Sequence, residues 1–226
     1  MVITLLLVLS GLILQSLFIK SEFDEKMKAA VVLKGTASLM FVLLGIYLMP
    51  SRITMYGDFI LKGLIFGMFG DILLNLRYLV PKQKATSVFG LGVLSFIVGH
   101  VFYIFALIDL GGNNILLWAL LITIIISILV ILLMKKHFPF EKKYIRVFSY
   151  IYIIVVVAMF SSAIALMIVK GYSIKYTSFL VGAFLFLVSD IFTVYYSFIE
   201  ETRLQKALNL YTYYLAQILI ALTLAL

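Results

Sequence analysis

At 226 residues, 65% hydrophobic and 12% charged, with a mean hydropathy of +1.20, the chain carries about half the charge density of a soluble domain, so its solvent is lipid. The formal charge of +8 sits between the apolar runs, where it orients helices and meets anionic headgroups, which argues against nucleic-acid binding. With no cysteine and two histidines, disulfides, thiolate zinc sites, cysteine nucleophiles and a three-histidine zinc hydrolase are excluded; any metal site would have to rely on carboxylates, and no cofactor is expected.

A membrane span needs about 20 mostly apolar residues. Eight windows qualify: 2–19, 29–49, 57–76, 87–108, 114–134, 146–169, 175–198 and 206–225. The expected fold is all-α, a polytopic bundle of eight transmembrane helices forming one domain over residues 1–226. The first run has no basic leader and no small-residue cleavage site, so it reads as a retained helix. The second carries Lys34 about six residues in, with Ser38 a turn further. The third reads "GDFILKGLIFGMFGDILLNL", where Gly63, Gly67, Asp71 and Asn75 recur every four residues on one face. Small residues there let a neighbour approach closely. The fourth holds "SFIVGHVFY", with His100 and Tyr103 a turn apart. The fifth and sixth are almost wholly apolar. The seventh, "GAFLFLVSDIFTVYYSF", places Asp190 in mid-span, with Ser189 and Thr193 beside it. The eighth holds "YTYYLAQ", with Tyr213, Tyr214 and Gln217 within a turn.

The breaks are short and polar, including "MPSR", "RYLVPKQK", "DLGGNN" and "KKHFPFEKK", which forces chain neighbours to pack antiparallel. Lys20, Lys26, Lys28, Arg77, Lys82, Lys84, Lys135, Lys136, Lys142, Lys143, Arg146, Arg203 and Lys206 all fall on one face of the membrane. Arg52, Lys170 and Lys175 fall on the other. The positive-inside rule makes the rich face cytoplasmic, with both termini on the non-cytoplasmic side. The short, Lys- and Ile-rich chain reads as a bacterial inner-membrane protein.

Asp71 lies six residues before Arg77, about 9 Å from that boundary, and Asp190 lies ten before Glu200, about 15 Å from it. Asp190 is therefore expected to be the deeper acid. The 119-residue spacing between them is half of an eight-helix chain and raises a 4+4 parallel repeat. A mid-span charge costs roughly 2.5–3.5 kcal/mol on insertion scales, so each acid calls for a partner or a function. Lys34 with Asp71 reads equally well as a structural ion pair. His100 reads as a cross-bundle hydrogen bond or as a site residue, and most tyrosines as interface or packing residues. One deep lysine for two deep acids leaves one carboxyl over, and paired carboxyls in unlike surroundings are suited to acid–base hydrolysis.

The motifs "FGDILL", "GHVFY", "VSDIF" and "YYLAQ", in this order and spacing, resemble the YhhN-like membrane family, which includes the lysoplasmalogenases. The likeness runs from Lys34 to Gln217, with one departure: Gly35 follows the lysine where the family pattern has proline. The resemblance implies a metal-independent hydrolase of the vinyl-ether bond in lysoplasmalogens, releasing a fatty aldehyde and glycerophosphoethanolamine or glycerophosphocholine. It makes Asp71 and Asp190 catalytic. Lys34, Asn75, His100, Tyr103, Tyr214 and Gln217 become the residues expected to bind substrate, a lysophospholipid drawn from the surrounding membrane lipids. Two rival readings stand beside it: a proton-coupled transporter, and a lysolipid-binding protein whose acids serve packing.

Overall fold

Helices form where the apolar runs stand. The computed structural model describes residues 2–52, 54–137, 143–198 and 202–226, with backbone alone for 137, 143–145 and 194–198. In chain order the helices are α1 (Val2–Phe23), α2 (Met27–Leu48), α3 (Met55–Leu76), α4 (Lys82–Gly111), α5 (Leu116–His137), α6 (Lys143–Lys170), α7 (Ile174–Phe198) and α8 (Arg203–Leu222). Single 3-10 turns at Asn113–Ile115 and Thr223–Ala225 precede α5 and follow α8. All eight are long and apolar enough to cross a membrane, so the chain is a multi-pass integral membrane protein. The middle of the break between α5 and α6, with Pro139 and Lys142, lies outside the described residues, as does Glu200.

Local chemistry sets the ends. Met49, extended before Pro50, stops α2, because the residue before a proline is disfavoured in the helical region. Thr54 caps α3 by accepting a hydrogen bond from the Gly57 amide at 3.1 Å. Thr202 and Gln205 form a reciprocal capping box at the start of α8, each bond 3.3 Å. Gly112 (φ +69°) and Gly171 (φ +78°) make the turns after α4 and α6, in a conformation that a side chain would strain.

Packing orders the helices as a ring. Around it run α2, α3, α4, α6, α7 and α8, with α8 closing onto α2 and also leaning against α3. α1 lies outside against α2 and α8, and α5 lies outside against α6. These two are the least covered, with 17% of their most apolar window buried against 39–56% for the others. The ring interior is filled: Tyr103, Tyr214, Phe41, Phe179, Phe186, Ile60 and Leu64 are all almost fully buried.

Glycines bring α3 onto its neighbours, as their spacing suggests. A Cβ added at Gly63 would fall 2.2 Å from the Tyr103 ring, and one at Gly67 would fall 2.4 Å from the Gln217 amide nitrogen. Between lipid-bathed helices this close packing is itself a source of cohesion, since burying apolar surface gains little there. Lys62, on the outer part of α3, bends back to pair with Asp58 at 2.6 Å in an exposed i,i+4 bridge, which contributes little.

Gly63→Ala is expected to destabilise the protein in detergent by about 1–3 kcal/mol through overpacking against Tyr103. Gly90→Ala, where nothing lies within 4 Å, is expected to be neutral or slightly stabilising, and thermal melts of the two variants check the contrast.

Candidate active site

Asp71 projects from the buried side of α3 and is 4% exposed. Its Oδ1 faces the Lys34 ammonium of α2 at 3.3 Å. Its Oδ2 accepts from the Ser38 hydroxyl at 2.5 Å and from the Tyr213 hydroxyl of α8 at 2.8 Å. Three donors thus converge on one carboxyl, which suits an acceptor-only carboxylate. Lys34 is 2% exposed and is itself enclosed. It donates to Gln15 Oε1 of α1 at 3.5 Å and lies over the rings of Phe18 and Tyr213, at 5.3 and 4.7 Å.

The network extends across the bundle. Tyr213 accepts from Gln217 Nε2 at 3.2 Å, and Gln217 Oε1 accepts from the Tyr103 hydroxyl of α4 at 2.6 Å. One connected polar path, Gln15–Lys34–Asp71–Tyr213–Gln217–Tyr103, therefore ties five helices together in the membrane interior. Buried polar groups that satisfy one another in this way specify a single packing.

Asp190 has different company. It is 7% exposed, and its Oδ1 accepts from the Tyr152 hydroxyl of α6 at 2.9 Å. Among the described residues its Oδ2 is buried without a hydrogen-bond partner. Its neighbours anchor α7 to α8: Asn209 Nδ2 donates to the Ser189 carbonyl at 2.7 Å, the Ser189 hydroxyl at 2.9 Å and the Thr193 hydroxyl at 2.6 Å.

An aromatic layer separates the two acids. The Tyr213 ring meets Phe186 at 5.2 Å, Phe186 meets His100 at 4.6 Å, and His100 meets Tyr152 at 6.0 Å, all edge-on. Each acid is thus one hydroxyl away from the same aromatic wall. α8 also serves as a ruler for depth. Tyr213 holds Asp71, and Asn209, four residues away, holds the serine beside Asp190. The two acids lie within about one helical turn, roughly 6 Å, of the same depth.

Among the described residues, no group of three His, Asp or Glu is placed to hold a metal ion. An apolar groove of about 440 Å³ runs between α2 and α3, lined by Val31, Val32, Gly35, Thr36, Leu39, Met68 and Ile72. Val32 is 64% exposed and Leu39 38%, so the groove faces lipid, on the other side of α2 from Lys34 and Ser38.

The sequence model of the YhhN family matches residues 29–224. The chain belongs to the YhhN family. That family includes lysoplasmalogenases. No curated protein and no solved structure matches the chain.

The family stretch contains every residue singled out in the sequence, and the structure sorts them. Asp71, Lys34, Tyr103 and Gln217 belong to the connected path. Asn75 hydrogen-bonds back to the Asp71 carbonyl at 3.1 Å, supporting the backbone that carries the acid. Lys34, expected to bind substrate, directs its ammonium inward to Asp71. Tyr214 donates to the Ala37 carbonyl at 3.0 Å and fastens α8 to α2, while the adjacent Tyr213 reaches the acid. One residue along a helix is a 100° turn, so one member of the pair faces α2 and the other the ring interior. His100 lies on the aromatic wall beside Tyr152.

Other participants were not singled out, among them Asn209, Gln15, Tyr152 and Phe186. Gln15 had a signal, being the first span's one amide. Tyr152 had none: "SYIYIIVVV" offers two tyrosines two residues apart, and only packing chooses between them. Phe186 reads as one more core aromatic.

Lys34→Met is expected to destabilise the protein by about 3–5 kcal/mol, because it leaves Asp71 buried without its cation. Lys34→Met combined with Asp71→Asn is expected to recover a substantial part of that loss, and a double-mutant cycle of thermal stability in detergent measures the coupling.

Proposed function

We propose that the protein is a membrane hydrolase that cleaves the vinyl-ether bond of lysoplasmalogens, with Asp71 and Asp190 as an acid–base pair. One observation carries the assignment of roles: Asp71 is met by an ammonium and two hydroxyls, whereas Asp190 is met by one hydroxyl and keeps an unpartnered oxygen. Asp71 is equipped to accept, and Asp190 Oδ2 is the oxygen free to carry and deliver a proton.

The chemistry needs those two functions. Asp190 gives its proton to the alkenyl carbon distal to the ether oxygen, and the adjacent carbon becomes an oxocarbenium ion. Water adds to that carbon and loses a proton to Asp71, whose negative charge also stabilises the cation. In the resulting hemiacetal, Asp190 takes back the hydroxyl proton while Asp71 returns its proton to the departing glycerol oxygen. Fatty aldehyde and glycerophospho-ethanolamine or -choline leave, and both acids are reset. The same division of labour between two carboxyls operates in glycoside hydrolysis, through a related cation. No step calls on a metal, in keeping with a chain that offers no cysteine and two histidines. Lys34 serves here by holding Asp71, and the basic face of the bundle attracts the headgroup.

Two architectural readings accompany this one. The basic face is cytoplasmic, with both termini on the opposite side. The bundle consists of two parallel four-helix repeats. Exchanging α1–α4 with α5–α8 maps the ring order onto itself and returns the peripheral pair α1 and α5, which supports the repeat. In both halves the acid on the third helix is held from the second: Lys34 holds Asp71, and Tyr152 holds Asp190.

Purified protein in detergent, with chelator present, is expected to release aldehyde from 1-alkenyl lysophosphatidylethanolamine. Asp71→Asn and Asp190→Asn should each lower turnover at least about tenfold. Folded wild type that releases none, but moves a lysolipid tracer across vesicles, would instead make the acids part of a carrier. For orientation, the cysteine-free chain allows single-cysteine variants at exposed Tyr172 and Lys84. An impermeant maleimide added to intact cells is expected to label Tyr172→Cys and to spare Lys84→Cys.

A further inference from the structure

His100 is 1% exposed and carries a ring nitrogen with no partner among the described residues. Its Nδ1 lies 2.6 Å from the Phe96 carbonyl oxygen, one turn back on α4. A carbonyl can only accept, so the ring proton sits on Nδ1, and Nε2 of the neutral imidazole is a bare acceptor. The two phenols that pack against its ring, Tyr103 and Tyr152, are committed elsewhere. The Tyr152 hydroxyl donates to Asp190, and the Tyr103 hydroxyl donates to Gln217. Phe186, packed edge-on at 4.6 Å, has no donor to offer. A buried acceptor left unmatched is a standing cost, and its retention calls for a reason.

We infer that His100 Nε2 is a specificity determinant that accepts the free glycerol hydroxyl of a single-chain lipid. The inference rests on the hydrolase reading above and names the feature of the substrate that this site reads. His100 touches Tyr152, the residue that holds Asp190, and Phe186, one turn before that acid on the same helix. The unpartnered Asp190 Oδ2 and the unpartnered Nε2 thus flank one tyrosine. A lipid whose alkenyl chain is protonated by Asp190 has its middle glycerol carbon only a few bonds away. In a lysolipid that carbon bears a hydroxyl, which donates to Nε2. In a two-chain lipid it bears an ester, which has no proton to give and would press an acceptor against an acceptor. A site built around a substrate hydroxyl rejects the analogue lacking it far more strongly than shape alone would.

The test compares two substrates on two proteins: 1-alkenyl lysophosphatidylethanolamine and its analogue with hydrogen in place of the middle hydroxyl, on wild type and His100→Phe. Phenylalanine keeps a flat ring against Phe186 and Tyr152 and removes the acceptor. Wild type is expected to prefer the hydroxylated substrate by roughly tenfold or more in kcat/KM. His100→Phe is expected to treat the two substrates about equally, by slowing on the hydroxylated one alone. Equal turnover of both substrates by wild type would overturn the inference without any variant, and is the outcome if Nε2 holds only a water. Undiminished preference in folded His100→Phe would overturn it too, by assigning the hydroxyl to another group. Aldehyde from neither substrate with wild type would overturn the hydrolase reading itself, and this inference with it.

Discussion

An ammonium buried in a membrane bundle must be answered by a carboxylate. The Lys34–Asp71 pair, at 3.3 Å and almost fully enclosed, is the constraint on which the interior is arranged. Taking both charges out of water costs several kcal/mol per ion, and their attraction offsets this only when the remaining donors and acceptors are also matched. Here they are. Lys34 reaches the Gln15 amide and two aromatic faces, and Asp71 takes two hydroxyls. The matching requires α1, α2, α3 and α8 to meet at one depth. Gln217 and Tyr103 then extend the same network to α4. In lipid, where apolar packing discriminates poorly between alternative helix arrangements, such a network is a means of selecting one.

The second acid gains its character by contrast with the first. Tyr152 holds Asp190 from α6 as Lys34 holds Asp71 from α2, and its position is within one residue of Lys34's shifted by the 119 residues that separate the two acids. A phenol replaces an ammonium, and Val157 stands at the offset position of Ser38. Asp190 therefore retains an unmatched oxygen where Asp71 has none. Two carboxyls in unlike surroundings are the raw material from which acid–base division is built. The rings of Tyr213, Phe186, His100 and Tyr152 form a continuous edge-on series between the hydroxyl that meets Asp71 and the hydroxyl that meets Asp190.

Membership of the YhhN family sets the chemistry against which these surroundings are read. It does not explain them. What the geometry adds is a reason for several polar residues to be where they are: Ser38 and Tyr213 to load one acid, Tyr152 to hold the other, Asn209 to fix α7 on α8, and Tyr214 to fix α8 on α2.

The sequence by itself determined the solvent, the number of spans and the identity of the two acids. Hydropathy over 20 residues is a local property, and a charge within such a stretch is conspicuous whatever its neighbours are. It also determined that α3 would be approached closely, because glycines at a four-residue spacing must share a face. Tertiary structure decided which partner each acid received. Tyr213 and Tyr214 are adjacent and chemically identical, and their opposite roles follow from a 100° rotation about an axis that only packing orients. Tyr152 is indistinguishable from Tyr150 until α6 is set against α7. The chain records distance along a helix, whereas a site is made by distance between helices.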